Sequence, residues 1–138
     1  HLDAGRSDLD RAARAAQLDQ LILAIDRYVS DQALIVAGDL NLDWDNSKDR
    51  KLLFDFRDRL GLARAEKGDQ AEHGWTVLDY IFFRSGRNTK LVVVGSGEDS
   101  AFVSDDVPLS DHPALFARFS IHRSLARSSH KDQTPGPE

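Results

Sequence analysis

The chain has no cysteine and no methionine among its 138 residues. The absence of cysteine excludes disulfide bonds and metal sites built on thiolates. Any metal ion must therefore bind through carboxylate, carboxamide or imidazole groups or through water, and oxygen-rich sets of this kind favour Mg²⁺, Mn²⁺ or Ca²⁺. Because the chain starts at His1 and contains no methionine, we expect it to be one part of a longer protein.

Long hydrophobic runs are also missing, since no apolar stretch approaches the ~20 residues needed to span a bilayer. The composition, 41% hydrophobic and 30% charged, is that of an ordinary globular domain. The segment at residues 95–97 lacks the third glycine of a nucleotide-binding loop, and neither Gly-x-Ser-x-Gly nor His-Glu-x-x-His occurs. The net charge of -5 argues against nonspecific attraction to polyphosphates but leaves phosphoester substrates open.

The first predicted helix covers residues 9–28, with Ser7 and Asp8 as candidate N-caps. Its polar residues, Arg11 and Arg14 among them, are expected to face water. The apolar residues that recur at helical spacing are Leu9, Ala12, Ala13, Ala16, Leu21, Ala24, Ile25 and Tyr28.

A second helix is predicted for residues 48–60, followed by Gly61 at the position where helices often end in a left-handed residue. A short apolar strand lies between the two helices. This alternation of helix and strand is typical of a layered α/β unit. The inward-facing residues of the second helix are expected to be Leu52, Leu53, Phe56 and Leu60.

The strands are expected at residues 33–37, 75–83, 90–94 and 114–121. The first is a continuous apolar run that ends at Gly38, and we predict a central strand buried on both faces. The stretches at residues 66–74 and 95–109 are predicted to be exposed loops.

The fold class is predicted as α/β, with a mixed β-sheet and flanking helices in a single domain over residues 1–122. From residue 123 onward the composition turns to Ser, Arg, Lys, Gln, Pro and Gly. We therefore expect residues 123–138 to form a disordered tail.

Asp39 and Asn41 follow the first strand directly, in the sequence Gly-Asp-Leu-Asn. Side chains two apart on a strand point the same way, so a carboxylate and a carboxamide can act on one water molecule or phosphoryl oxygen. The alternative is structural, because Asp and Asn commonly close strand ends through Asx-turns. Both interpretations stay open at this point.

Ser-Asp-His-Pro at residues 110–113 is a sharper signal, because Asp111 and His112 are neighbours at the entry to a strand. A histidine can supply a proton, stabilise developing negative charge or bind a metal, and a carboxylate holds its ring in one tautomer. Asp79, set within an apolar strand, can be that carboxylate. The alternatives are an Asp79 paired with an arginine or facing solvent, and a His112 on a surface loop.

The ordered set of His-Leu-Asp-Ala-Gly at His1, Gly-Asp-Leu-Asn at Gly38, Leu-Asp-Tyr-Ile at Leu78 and Ser-Asp-His-Pro at Ser110 resembles the endonuclease/exonuclease/phosphatase superfamily. This superfamily includes deoxyribonuclease-type nucleases, neutral sphingomyelinases and inositol-phosphate phosphatases. The start at His1 is similar to bacterial members near the sphingomyelinase-like group. The resemblance implies a four-layer α/β/β/α sandwich with the site where the sheet edges meet.

The resemblance also implies Mg²⁺- or Mn²⁺-dependent hydrolysis of a phosphoester by in-line attack of water. Asp39 would orient or deprotonate that water, and Asn41 would hold it or the phosphate. Asp111 would assist metal binding. His112 would stabilise the charge on the phosphoryl oxygens, Asp79 would orient its ring, and His1 matches the second active-site histidine. The substrate could be a nucleic acid, a phospholipid or a small phosphate ester.

Members of that superfamily are considerably longer, and their first half supplies an Asn and the Glu that chiefly holds the metal. We therefore expect this chain to be the C-terminal portion of such a domain. It would bind the missing N-terminal half and be inactive or very weak by itself. The alternative is a non-catalytic binding module that retains the phosphoesterase fold.

Overall fold

The computed structural model describes residues 1–66, 78–99, 101–105 and 107–124. Helices and strands alternate through the first half, which confirms the predicted α/β class. In chain order the elements are α1 (Asp8–Tyr28), β1 (Leu34–Asp39), α2 (Ser47–Leu60), β2 (Ala63–Arg64), β3 (Asp79–Arg84), β4 (Thr89–Asp99), β5 (Val103–Ser104), β6 (Val107–Pro108) and β7 (Ala114–Arg123). Neither α1 nor α2, the helices of the described residues, has the length and hydropathy of a membrane span.

The strands form a three-stranded sheet in the order β1-β3-β2, a two-stranded sheet of β4 and β7, and a short hairpin of β5 and β6. A mixed sheet was expected, but every strand pair in the described parts of the chain is antiparallel. The predicted central position of β1 is also wrong within these residues, because β3 is the strand with a neighbour on each side. Ile35 on β1 is 48% exposed, so the strand is not buried on both faces.

Helix α1 begins as predicted, because Ser7 and Asp10 form a capping box in which each side chain bonds the backbone N–H of the other. The predicted buried face is only partly right. Leu9 is 82% exposed and Tyr28 is also exposed, whereas Leu18, Ile22 and Ile25 are buried. Arg14, which was expected to face water, lies on the buried face because backbone carbonyl groups accept its hydrogen bonds.

Helix α2 agrees with the prediction at both ends. The side chain of Asn46 accepts hydrogen bonds from the first turn, and Gly61 ends the helix with φ of 63°, a conformation that glycine adopts without strain. Together the two helices and the first sheet enclose one apolar cluster. Its buried members are Leu18, Ile22, Ile25, Leu40, Leu42, Leu53, Phe56, Leu60, Leu62, Tyr80 and Phe82.

The two faces of β3 separate the core from a second layer. Tyr80 and Phe82 face the helices, and Phe83, on the opposite face, contacts Phe119 of β7 with ring centroids 5.2 Å apart. The order of layers is therefore helices, first sheet, second sheet. The full four-layer sandwich implied by the resemblance stays a prediction.

At its first residue the predicted exposed loop at residues 66–74 is a loop, but its side chain is not exposed. Glu66 has a buried carboxylate that forms an ion pair with Arg64, whose guanidinium also lies 4.4 Å from the ring centre of Trp44. Burial raises the pKa of Glu66. The remainder of that prediction, and the predicted strand start at residues 75–77, lie outside the described residues.

The predicted loop at residues 95–109 is largely strand. β4 continues to Asp99 past a bulge at Val94, and β5 (Val103–Ser104) pairs with β6 (Val107–Pro108). Glycine usually weakens a strand, but Gly97 leaves room for the ring of Phe116 on β7, 3.4 Å from where a Cβ would stand. β7 runs two residues beyond the predicted end, to Arg123, and residues 125–138 of the predicted tail lie outside the described residues.

Candidate active site

Asp39 and Asp79 lie directly opposite each other where β1 and β3 pair. In an antiparallel pair, opposed residues share one face of the sheet, and here it is the face that points away from the helices. Two like charges in this position destabilise a sheet unless a cation lies between them. Gly38, just before Asp39, has φ of 152° and open space around its missing Cβ, so its backbone conformation rather than close packing calls for glycine.

His112, in the loop before β7, lies beside both carboxylates and carries such a positive charge when it is protonated. Its Nδ1 lies 2.6 Å from Oδ2 of Asp79 and 3.9 Å from Oδ2 of Asp39. Ser110 accepts the backbone N–H of His112 through Oγ at 3.1 Å, which fixes the loop. The hydrogen bond to Asp79, aided by the charges of Asp39 and Asp111, raises the pKa of His112 above its ordinary value.

The two oxygens of Asp39 serve two purposes. Oδ1 accepts the backbone N–H of Asn41 at 2.7 Å, which is the Asx-turn that formed the structural alternative. Oδ2 faces the histidines and lies 3.5 Å from Nε2 of His1. The Asx-turn is therefore confirmed, and because it occupies only one oxygen, the catalytic role of Asp39 stays a prediction.

Asn41 lies at the edge of the same cluster with φ of 50°, in the left-handed region that asparagine tolerates better than most residues. Its Nδ2 donates to the carbonyl oxygen of Leu2 at 2.9 Å and lies 3.4 Å from Nε2 of His1. The carboxamide thus ties the first residues of the chain to the end of β1.

Helix α1 holds this N-terminal segment in place. Arg14 donates to the carbonyl oxygens of Asp3 and Gly5 at 3.0 and 2.9 Å, and Gln17 accepts the N–H of Asp3 at 2.8 Å. The N–H of Leu2 in turn donates to the carbonyl oxygen of Asp39 at 3.0 Å. Sequence reasoning missed these two residues, although Arg14 stands at helical spacing from Leu18, Ile22 and Ile25.

A cavity of about 350 Å³ adjoins Asp79 and His112. Its walls are largely apolar and include Ile81, Phe102 and Leu115. The charged groups therefore lie beside an apolar groove, an arrangement that orients a ligand with one polar and one apolar part.

Asp39, Asp79 and His112 could together hold a metal ion, since one ligand atom from each lies within 4.8 Å of the others. Two carboxylates and an imidazole suit several divalent cations. One nitrogen cannot serve two purposes, however, because Nδ1 of His112 either donates its proton to Asp79 or binds a metal. Asp111, the predicted metal ligand, is exposed and outside this group, so its role stays a prediction.

Three curated proteins are similar to this chain, all named sphingomyelinase, from Mycobacterium bovis and from two strains of Mycobacterium tuberculosis. Each is 35% identical over 118 residues, an alignment that covers 72% of this chain and 23% of the relative. The chain thus spans about a quarter of the length of these relatives. No family model matches it.

Proposed function

We propose that this chain carries catalytic residues of a metal-dependent phosphodiesterase of the endonuclease/exonuclease/phosphatase superfamily, related to the sphingomyelinases. The observation that carries the proposal is the contact of His112 with two carboxylates from separate segments of the chain. Its Nδ1 lies 2.6 Å from Oδ2 of Asp79 and 3.9 Å from Oδ2 of Asp39. The similarity to proteins named sphingomyelinase supports the same class of reaction. Because the chain spans 23% of those proteins, the activity of the whole protein is part of the proposal.

In the proposed reaction, Asp39 accepts the proton of the attacking water through Oδ2, while Oδ1 stays in the turn with Asn41. The imidazolium of His112 donates a hydrogen bond from Nε2 to a phosphoryl oxygen, where negative charge develops. Asp79 holds the ring through Nδ1 and favours its charged form. His1 lies close enough to Asp39 to assist in orienting the carboxylate.

The donor set fits a divalent cation, because one oxygen each of Asp39 and Asp79 and one nitrogen of His112 lie within 4.8 Å of one another. Asp79 would hold Mg²⁺ or Mn²⁺ through the oxygen that does not bond His112, with Asp111 as a proposed further ligand, and Oδ2 of Asp39 would stay available as the base. The ion, when bound, supplies Lewis-acid stabilisation of the phosphoryl oxygens. Asp39 and His112 perform the proton transfer and charge stabilisation described above.

Among the substrate classes open to this chemistry, we favour a phospholipid over a nucleic acid or a small phosphate ester. The relatives' name points to sphingomyelin, which joins a choline phosphodiester to an apolar body. The groove beside His112 is lined by Phe102, Ile81 and Leu115, and these side chains offer an apolar surface against which the apolar part of the lipid could pack.

The test is hydrolysis of bis(4-nitrophenyl) phosphate with and without Mg²⁺ by the wild type and by His112→Ala. We expect weak Mg²⁺-dependent turnover from the wild type and a loss of roughly 100-fold or more in the variant, the range for removal of an acid–base group. The matched control is His122→Ala, because His122 is exposed on β7 and bonds only Ser120 in the described residues. His122→Ala should behave as wild type.

Equal activity in His112→Ala and the wild type would rule out the proposed role of the imidazole. Saturable binding of the phosphodiester with no turnover at any Mg²⁺ concentration would instead favour the non-catalytic binding module. Comparing release of phosphocholine from sphingomyelin vesicles with cleavage of a DNA oligonucleotide would separate the substrate classes.

A further inference from the structure

A second cavity, of about 470 Å³, lies between the beginnings of α1 and α2. Three arginines line it, Arg6, Arg11 and Arg14, so we call it the arginine cavity. It also borders Asn41 and Leu78 and so adjoins the candidate active site without including the pair of Asp79 and His112.

The first of these cations, Arg11, is already neutralised. Its Nε donates to Oδ1 of Asp49 at 2.7 Å, and its other end reaches Asp8. Asp49 is buried and also accepts the N–H of Asp43 at 3.2 Å. Both oxygens of Asp49 are therefore hydrogen-bonded and its charge is balanced by that of Arg11, while Asp8 also pairs with Lys48.

Arg14 is different, because it is 1% exposed and its hydrogen-bond partners are the carbonyl oxygens of Asp3 and Gly5. Its Nε is buried without a hydrogen-bond partner in the described residues. Asp10, one turn earlier on α1, is held by the N–H and hydroxyl of Ser7. A guanidinium is always charged, so Arg14 places a buried positive charge beside the cavity with no carboxylate at ion-pair distance in the described residues.

Arg6 adds an exposed cation at the mouth of the cavity, and it too forms no ion pair within the part of the chain that the structure describes. The first turns of both helices border the same space, at Gly5 just before α1 and at Asn46, the N-cap of α2. The N-terminal ends of helices carry partial positive charge and favour anions. The acidic Asp43 at the rim has its Oδ1 turned to the N–H of Asp45.

We propose that the arginine cavity binds a phosphate group, which Arg6 contacts and which the buried charge of Arg14 attracts. A phosphate monoester or inorganic phosphate supplies the multiple oxygens and negative charge that balance two unpaired guanidinium groups. This binding does not rest on the proposed function, because sphingomyelin carries a single phosphate and that group is the one proposed to be cleaved.

The direct test is a titration of the protein with inorganic phosphate at constant ionic strength, followed by backbone amide NMR signals. We expect saturable shifts at Gly5, Arg6 and Asn46, and about tenfold weaker binding in Arg6→Ala, the scale of one charge-assisted contact. Arg27→Ala is the matched control, since Arg27 is exposed near the other end of α1, about 30 Å away along the helix.

Arg14→Lys provides a second variant. It keeps the positive charge but removes the guanidinium group that donates hydrogen bonds to the carbonyl oxygens of Asp3 and Gly5. If the variant stays folded, phosphate binding should fall less than in Arg6→Ala. If it unfolds, Arg6→Ala still decides the outcome. Equal affinity in Arg6→Ala and the wild type, or shifts confined to His112 and Asp79, would overturn the proposal.

Two sources of the phosphate are separated by a second titration with glycerol 3-phosphate, the soluble headgroup of an anionic lipid. Tighter binding than inorganic phosphate, lost in Arg6→Ala, supports an organic phosphate as the ligand. Weaker binding supports the free ion. Neither result depends on hydrolysis, so a failure of the proposed phosphodiesterase activity would leave the binding result standing.

Discussion

Asp39 and Asp79 face each other across the pairing of β1 and β3, and the side chains at ion-pair distance from them, among the described residues, belong to His1 and His112. A sheet stable by itself would not place two carboxylates in this register. The arrangement becomes favourable once a positively charged group, an imidazolium or a metal ion, is held between them. The chemistry proposed for the site follows from these two negative charges facing each other.

The pKa of His112 should fall when Asp79 is replaced by Asn, because the hydrogen bond from Nδ1 to Asp79 is the largest cause of the raised value. NMR titration of the imidazole signals in the wild type and in Asp79→Asn measures this directly. We expect a wild-type pKa above the ordinary 6.5 and a clear decrease in the variant. The exposed His122 serves as the internal reference, and an unchanged His112 titration would contradict the assigned pair.

The same pair makes the stability of the fold depend on pH. Folding raises the pKa of His112, so its stabilisation is fully present below the unfolded value of 6.5 and is lost as pH rises through the folded value. Urea unfolding across that window should show a falling free energy of unfolding in the wild type and a flatter profile in Asp79→Asn. A wild-type free energy of unfolding that rises with pH over this window would contradict the predicted direction.

Asp39→Asn should separate stability from activity. The substitution removes one of two opposed charges, so at alkaline pH the free energy of unfolding should rise by roughly 0.5 kcal/mol, the scale of cross-strand pair effects. Hydrolysis should fall by roughly 100-fold or more, because the amide cannot accept a proton from water. Asp26→Asn, an exposed position on α1, is the control for charge removal. Retained hydrolysis would exclude Asp39 as the base.

Gln17→Ala should loosen the segment that carries His1. The side chain of Gln17 accepts the N–H of Asp3, so its removal leaves a partly buried donor without a partner and costs about 1 kcal/mol. Hydrogen exchange at Leu2 and Asp3 should become faster, while amides in the middle of α1 keep their protection. The exposed Gln20 on the same helix gives the control variant Gln20→Ala, which should leave both amides unchanged.

Leu53→Ala tests the core shared by the helices and the first sheet. Leu53 is 1% exposed, and its truncation leaves a cavity that should lower the free energy of unfolding by about 2–5 kcal/mol. Leu23→Ala on α1, where the side chain is 66% exposed, should change it by less than about 0.5 kcal/mol. Equal effects of the two variants, measured by urea unfolding, would contradict this placement of the core.

Local chemistry made both helices predictable from the sequence. Ser7 caps α1 and Gly61 ends α2 through interactions within a few residues, so their positions could be predicted without the rest of the fold. The same holds for the Asx-turn of Asp39 and Asn41. The motif at residues 110–113 marked His112 as a partner for Asp79, and the structure places the two side chains in contact.

Contacts between distant segments decided the rest. Arg14 and Glu66 read as solvent-facing residues, and only the carbonyl groups of the N-terminal segment and the guanidinium of Arg64 make their burial favourable. Likewise, Gly97 predicts the end of a strand when only neighbouring residues are considered. In the structure the ring of Phe116 packs against it and the strand continues. The sequence by itself determined the helix ends and the polar residues at the strand ends, because both depend on neighbouring residues. Tertiary structure decided the strand register and the opposition of Asp39 and Asp79, because strand pairing joins residues that have no local contact.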